Sequence, residues 1–215
     1  MKVCVIGANG QIGRHLIDLL NESEEHTARA IVRKSEQVEF FKNKGVESVV
    51  ASLTENVERL GEAIKGCDAI VFTAGSGGST GADQTLLIDL DGAGKTIEAA
   101  EKVGVNRFVM VSALSAHKRE KWNEALRPYY AAKHYADKML VQSNLTYTII
   151  RPGGLLNDQA NGRVSLAEEL GRGSIPRADV ARTILDSLLE QNTFNRSFDL
   201  NSGEVPIADA LKTFS

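Results

Sequence analysis

The chain has 215 residues, of which 42% are hydrophobic and 25% charged, with a formal net charge of -3. That length and apolar content support one sizeable core, and with no long Lys/Arg run the charge balance excludes nucleic acid and anionic membrane surfaces as expected partners. Cys4 and Cys67 stand far apart and outside any CxxC, which excludes a disulfide framework and a thiolate metal site and points to a reducing compartment.

The opening MKVCVIG reads as a strand over residues 3–6, with no charged leader ahead of an apolar stretch. No run approaches the roughly 20 apolar residues of a membrane helix, so the expectation is a cytoplasmic, soluble protein whose partner is a small molecule. GANGQIGRHLIDLL follows, in which Gly7, Gly10 and Gly13 form a GxxGxxG leading into a helix predicted over 11–21. Glycines here leave room for a tight turn, for the close approach of a pyrophosphate and for packing of the helix on the strand. The helix N-terminus adds amide donors and the positive end of a dipole. Gly7, Asn9, Gly10, Gln11, Ile12 and Gly13 are therefore the candidate phosphate-binding stretch, the alternative being a turn that serves chain reversal alone.

A second strand, 28–32, runs into Arg33 and Lys34. An NAD-type site carries an acidic residue about 20 positions beyond the glycines to hold the ribose 2′-hydroxyl, but no acid appears here before Glu36. An arginine with a neighbouring lysine suits a 2′-phosphate through charge-assisted hydrogen bonds, so NADP(H) is expected in preference to NAD(H). A solvated basic turn is the other reading of the same residues.

The alternation continues with helices predicted over 36–44, 54–65, 83–103, 124–142 and 178–191, and strands over 46–51, 69–73, 108–111 and 147–150. Loops are expected at 75–81 (GSGGSTG), at the charged AHKREKWNE and at 153–162. Strand then helix, repeated, means a parallel sheet covered on both faces, with a ligand crevice at the carboxyl ends of its strands. Tyr129 and Lys133 are four apart on one helix face and read either as a pair over a common ligand or as two surface residues. His15, His26, His117 and His134 form no HxH or HExxH spacing, so no metal site is expected, and His134 is expected in solvent. Trp122 would close over a substrate or anchor its loop, and Asp179 would face amides in the first turn of the last helix.

With GANGQIG, the strand-end Arg33, TAGSG after the fourth strand, Tyr129-x-x-x-Lys133 and TIIRPGG at the sixth, in that order, the chain resembles the short-chain dehydrogenase/reductase superfamily. Within it, the chain is most similar to the atypical NAD(P)-dependent epimerase/dehydratase-like, NAD(P)H-binding members, and more distantly to NmrA-like proteins and flavin or biliverdin reductases. The resemblance runs over nearly the whole chain. It implies an α/β fold, a Rossmann-type doubly wound parallel sheet, forming a single domain over 1–215 with a small C-terminal substrate-side extension.

The resemblance also implies roles. Tyr129 matches the proton-transferring phenol, and Lys133 the lysine that lowers its pKa and binds the nicotinamide ribose. The family's serine falls on Ala113, with Ser112 and Ser115 to either side, each a substrate contact or a strand-end hydroxyl bonded to backbone. Asp89 stands where asparagine is usual, and reads as a contact to water or lysine or as an exposed carboxylate; if buried among TLLIDLDG it needs a partner. Ser52 and Leu53 would lie beside the adenine, where many members have Asp-Leu. Thr73, Ala74 and Gly75 would pass under the adenosine and ribose. Val111, Ser112, Pro152, Gly153, Gly154 and Leu155 would line the nicotinamide end. The activity implied is an NADP(H)-dependent oxidoreductase or an epimerase/dehydratase acting by hydride transfer. Only about 60 residues follow Arg151, short beside a separate substrate domain, so a small carbonyl or hydroxyl compound is the expected substrate. A non-catalytic NADP-binding redox sensor and a flavin or quinone reductase are the alternatives, and monomer and homodimer both stay open.

Overall fold

Apolar strand residues that alternate between two covered faces set the architecture of the chain, seen in a computed structural model that describes residues 1–78 and 80–214. In chain order the elements are β1 (Lys2–Ile6), α1 (Gln11–Glu22), β2 (Thr27–Val32), α2 (Glu36–Lys42), β3 (Glu47–Val50), α3 (Val57–Ile64) and β4 (Ala69–Phe72). A long helix follows as α4 (Ala82–Gln84), a π-helical stretch Thr85–Asp91 and α5 (Gly92–Val103). Then come β5 (Arg107–Val111), α6 (Arg127–Gln142), β6 (Thr146–Pro152), β7 (Gly154–Leu156), β8 (Arg163–Ala167), β9 (Ser174–Pro176), α7 (Arg177–Ser187), β10 (Arg196–Ser202), β11 (Val205–Pro206) and α8 (Ile207–Lys212). Ser79, within the predicted 75–81 loop, and Ser215, the last residue of the predicted domain, lie outside the described residues.

Nine strands form one sheet in the order β11-β8-β10-β6-β5-β4-β1-β2-β3. The pairs from β3 across to β10 are parallel, while β8 runs antiparallel to β10 and to β11. The chain steps outward from β1 through β2 to β3, then returns to lay β4 on the other side of β1. That reversal opens a crevice at the carboxyl ends of β1 and β4. Val3 and Val5 of β1 face a core with Leu16, Ile17 and Leu20 of α1 and Ile184 of α7, whereas Cys4 and Ile6 face Leu60, Ile97 and Leu140 of α3, α5 and α6. This is the expected doubly wound sheet.

Three features depart from the sequence reading. Six strands were expected in the sheet and nine are present, because the C-terminal extension joins it: β10 continues the parallel order beside β6, and β8 and β11 close that edge. The expected 153–162 loop contains β7, which pairs in parallel with β9 as a separate two-stranded sheet. Asp179 is fully buried and accepts the backbone N–H groups of Asn161 (3.0 Å) and Gly162 (2.9 Å), so it ties that segment to α7 and does not serve its own helix. No helix among the described residues is long and apolar enough to cross a membrane.

Candidate functional site

The glycine-rich turn after β1 is built on close backbone approaches. Gly7 has φ +86°, and a Cβ on it would stand 2.7 Å from the Ala74 amide nitrogen. A Cβ on Gly13 would stand 2.3 Å from the Gly7 carbonyl oxygen, and one on Gly10 3.1 Å from the same atom. Side chains larger than hydrogen at Gly7 and Gly13 would force β1, β4 and α1 apart. Gly10 donates to Gly7 O at 2.9 Å and caps α1 with no side-chain hydrogen bond. The helix therefore presents its first amides to the crevice uncapped, the arrangement that suits an anion. Asn9 accepts from Arg14 at 2.8 Å, and the Arg14 guanidinium lies 4.5 Å from the centre of the Phe40 ring. Arg14 is a cation beside the glycine turn that the strand-end argument overlooked; its place directly after Gly13 was the available signal.

Arg33 and Lys34 stand exposed at the end of β2, and both backbone N–H groups donate to Gln37 Oε1, at 2.9 and 3.1 Å. Ser52 is engaged locally: its N–H donates to Glu55 Oε2 at 2.6 Å and its hydroxyl meets Thr54 Oγ1 at 2.8 Å. Leu53 is buried against Gly92, where a Cβ would come within 3.0 Å of it. Thr73 donates to Ile6 O at 3.0 Å, holding the β4 end against the glycine turn, and Ala74 and Gly75 continue along it.

Asp89, on the π-helical stretch, is 1% exposed. Its Oδ2 accepts the Ser76 N–H at 2.9 Å, and its Oδ1 lies 3.1 Å from Lys133 Nζ, itself 4% exposed. Lys133 also donates to Val111 O at 3.4 Å and lies 5.8 Å from the centre of the Tyr129 ring. Asp89, Lys133 and Tyr129 thus meet beneath the ends of β4 and β5. The carboxylate that needed a partner has one in Lys133. Burial raises the Tyr129 pKa above its ordinary value; Lys133 pulls it down as expected, but burial outweighs that charge. Lys133 is raised as well: burial works against its charge, but Tyr129 and Asp89 outweigh it.

Ser112 is buried, and its Oγ has no hydrogen-bond partner among the described residues and no solvent access. Ala113 is buried beside it, and Ser115 is half-buried on a turn with φ +63°, an unusual conformation for a residue with a side chain. Arg151 pairs with buried Asp137 at 2.9 Å, a structural bond that anchors β6 on α6. His134 is buried, not solvated: its Nδ1 meets Ala116 O at 2.9 Å, and burial lowers its pKa.

These residues border a cavity of about 940 Å³. Ser112, Ser115, Tyr129, Pro152, Gly153 and Gly154 lie on the side of the sheet ends. The outer wall includes Trp122 and Tyr130, stacked with centres 6.2 Å apart and planes 14° from parallel. Trp122 also donates to Ala116 O at 3.1 Å, so it anchors its loop and lines the cavity at once. The floor is interlocked. Gly153 N–H donates to Leu200 O and Gly154 N–H to Gly173 O, at 2.9 and 2.8 Å, and a Cβ on Gly153 or Gly173 would overlap Asn201. The sequence reading missed Asn201 and the segment 170–173, because a Gly-Arg-Gly loop and a polar strand carry no local sign of meeting.

Residues 7–191 match the model of the NAD(P)H-binding family. The chain belongs to this family. It is 61% identical over 212 residues to the uncharacterized sugar epimerase YhfK of Bacillus subtilis (strain 168), covering 99% of each chain. A Bacillus halodurans protein described as a NAD-dependent epimerase/dehydratase superposes with a TM-score of 0.93 at 40% identity, covering 99% of both chains. The oxidoreductase ylbE of Lactococcus lactis does so with a TM-score of 0.90 at 33% identity, covering 99% of this chain and 96% of that one. The chain is thus an NAD(P)-binding, SDR-like protein.

Proposed function

We propose that the chain is an NADP(H)-dependent reductase or epimerase/dehydratase-like enzyme that moves a hydride to or from a small carbonyl or hydroxyl compound, with Tyr129 and Lys133 as its proton-transfer pair. The observation that carries this reading is the buried Asp89-Lys133 ion pair, whose ammonium lies 5.8 Å from the ring centre of Tyr129 on the cavity lining. A bound dinucleotide would supply the hydride at the nicotinamide ring. The glycine turn and the uncapped α1 N-terminus would take its pyrophosphate, and Arg33 and Lys34, with Arg14 beside the glycine turn, its 2′-phosphate. Arg33 is exposed, and no acid competes for the position; that supports NADP over NAD.

Lys133 is ion-paired with Asp89 and donates to Val111 O, and an ammonium has three donors; a remaining one would hold a ribose hydroxyl. Asp89 would then act as a positioning residue that fixes the lysine. In reduction the substrate carbonyl carbon accepts the hydride, its π pair moves to oxygen, and the Tyr129 O–H gives that oxygen its proton. A phenol held above its ordinary pKa by burial suits that donation at neutral pH. Ser115, half-buried in the cavity lining, is the better candidate to orient the substrate oxygen, since the Ser112 hydroxyl is sealed.

The test is oxidation of NADPH and NADH by the full chain with a panel of small carbonyls, quinones and flavins, repeated with Tyr129→Phe. NADPH should be the better donor, and the substitution should lower kcat on carbonyls about 100-fold or more without weakening NADPH binding. The wild-type rate of reduction should stay level through neutral pH and fall only as the raised Tyr129 pKa is reached. Tight NADPH binding with no acceptor reduced would sink the enzyme reading in favour of a redox sensor. Unchanged rates in Tyr129→Phe would mean direct hydride transfer to a flavin or quinone. Ala113 at the usual serine position favours the sensor, and Tyr129 with Lys133 favours the enzyme.

A further inference from the structure

The cavity wall carries a cation with nothing to bind. Arg172 lines the cavity, is exposed, and makes no hydrogen bond or ion pair among the described residues. The charges around it are mostly taken: Lys121 is paired with Glu169, and Glu124 with Arg127 at 2.9 Å. Glu120, also exposed on the lining, stands between Arg119 and Lys121 in a single 3-10 turn and makes no ion pair among the described residues.

The loop that presents Arg172 is held from three sides. Leu170 N–H donates to the buried Asp199 at 3.0 Å, Asn201 Nδ2 donates to Gly171 O at 3.1 Å, and Gly173 O accepts from Gly154 at 2.8 Å. Asp199 and Asn201 are themselves buried on β10. Two buried polar side chains and a strand edge therefore fix the backbone on both sides of one free guanidinium, which lines the same cavity as the stacked Trp122 and Tyr130 rings. A pre-positioned cation loses less freedom on binding than one on a loose loop.

We propose that Arg172 is the anion-recognising residue of this cavity, and that the substrate is a planar, largely apolar compound carrying a carboxylate. The Trp122-Tyr130 wall takes the planar body and the guanidinium takes the carboxylate in a forked, charge-assisted contact. The inference rests on reading the cavity as the substrate site, and it adds a chemical class to the function proposed above. Arg172 selects the substrate and takes no part in moving hydride or proton.

Trp122 is the one tryptophan of the chain, so quenching of its emission reports binding without turnover. With NADP+ present, trans-cinnamate should bind the full chain at least about tenfold more tightly than neutral cinnamyl alcohol, the scale of a hydrogen bond to a charged group. Arg172→Ala should abolish that preference while leaving the alcohol's affinity and the thermal midpoint unchanged, and Arg172→Lys should restore part of it. Equal binding of the two probes by the wild type, or a preference that survives in Arg172→Ala, overturns the proposal. Cinnamate preference through Arg172 in a protein that oxidises no NADPH would sink the enzyme reading alone. Turnover of neutral carbonyls with no such preference would sink this inference alone.

Discussion

Lys133 and Asp89 are each other's reason for being buried. A lysine ammonium and a carboxylate, 4% and 1% exposed, persist in the interior because they lie 3.1 Å apart with backbone groups satisfying further valences. Removing one leaves the other charged and unpaired. Lys133→Met should therefore cost about 3–5 kcal/mol of stability in a urea melt, and adding Asp89→Asn should recover part of the loss, whereas Tyr129→Phe should melt as the wild type does. If Lys133→Met alone is neutral, the pair is not the buried one described here. Part of this was legible in the sequence. Spacing alone put Tyr129 and Lys133 on one face, and the apolar setting of Asp89 demanded a partner. Which partner it was, and that burial would outweigh the lysine in setting the Tyr129 pKa, depend on elements far apart in the chain and could not be read locally.

Among the elements, the β1-α1 turn is the most constrained, and the constraint is graded. A methyl on Gly13 would meet backbone at 2.3 Å with no side chain to give way, while one on Gly10 would meet it at 3.1 Å. Gly13→Ala should lower stability by about 1–3 kcal/mol and weaken nicotinamide-nucleotide binding by isothermal titration; Gly10→Ala should do less on both readouts. Equal effects would mean that the turn relaxes as a unit. The glycines and the alternation of β1 to β6 with their helices were legible because apolar and β-branched residues dominate most of these strands, β3 (ESVV) being the weakest of them. The π-helical stretch was not: the Thr85–Asp91 segment looked like ordinary helix, though Leu86 and Leu87 point outward at 56% and 41% exposure while Asp89 points in. A widened turn of this kind reorients side chains without breaking the helix. β10 escaped for a different reason. Its buried face includes Asp199 and Asn201, whose polarity is offset by backbone groups of the 170–173 loop, so the run RSFDLNS lacks the apolar signature of a covered strand.

Across the molecule, charge ties the C-terminal edge of the sheet to the segment leading into α6. Glu169 pairs with Lys118 and Lys121, which draw its pKa down to about 2, and burial with the charge of Arg151 pushes His117 down to about 4. His117 faces Arg151, Lys118, Lys121 and Glu169, with Asp199 Oδ1 4.0 Å away. Both shifts have the same sign for folding. Below its ordinary pKa of 6.5 the unfolded chain protonates His117 while the folded one resists, so stability falls between pH 6.5 and about 4. The Glu169 contribution is present above its ordinary value of 4.5 and is lost as pH falls towards about 2. The thermal midpoint should therefore drop from pH 7 to pH 5, and His117→Asn should flatten that drop; an unchanged slope in the variant would assign the acid lability elsewhere. The cavity itself joins two kinds of surface. Its floor is glycine backbone locked against Asn201, where a single added carbon has no room, while its outer wall is side chain on turns open to solvent. On the function proposed above, substitutions at Leu126 or Arg172 would change what the cavity accepts while leaving the glycine floor and the Asp89-Lys133 pair in place.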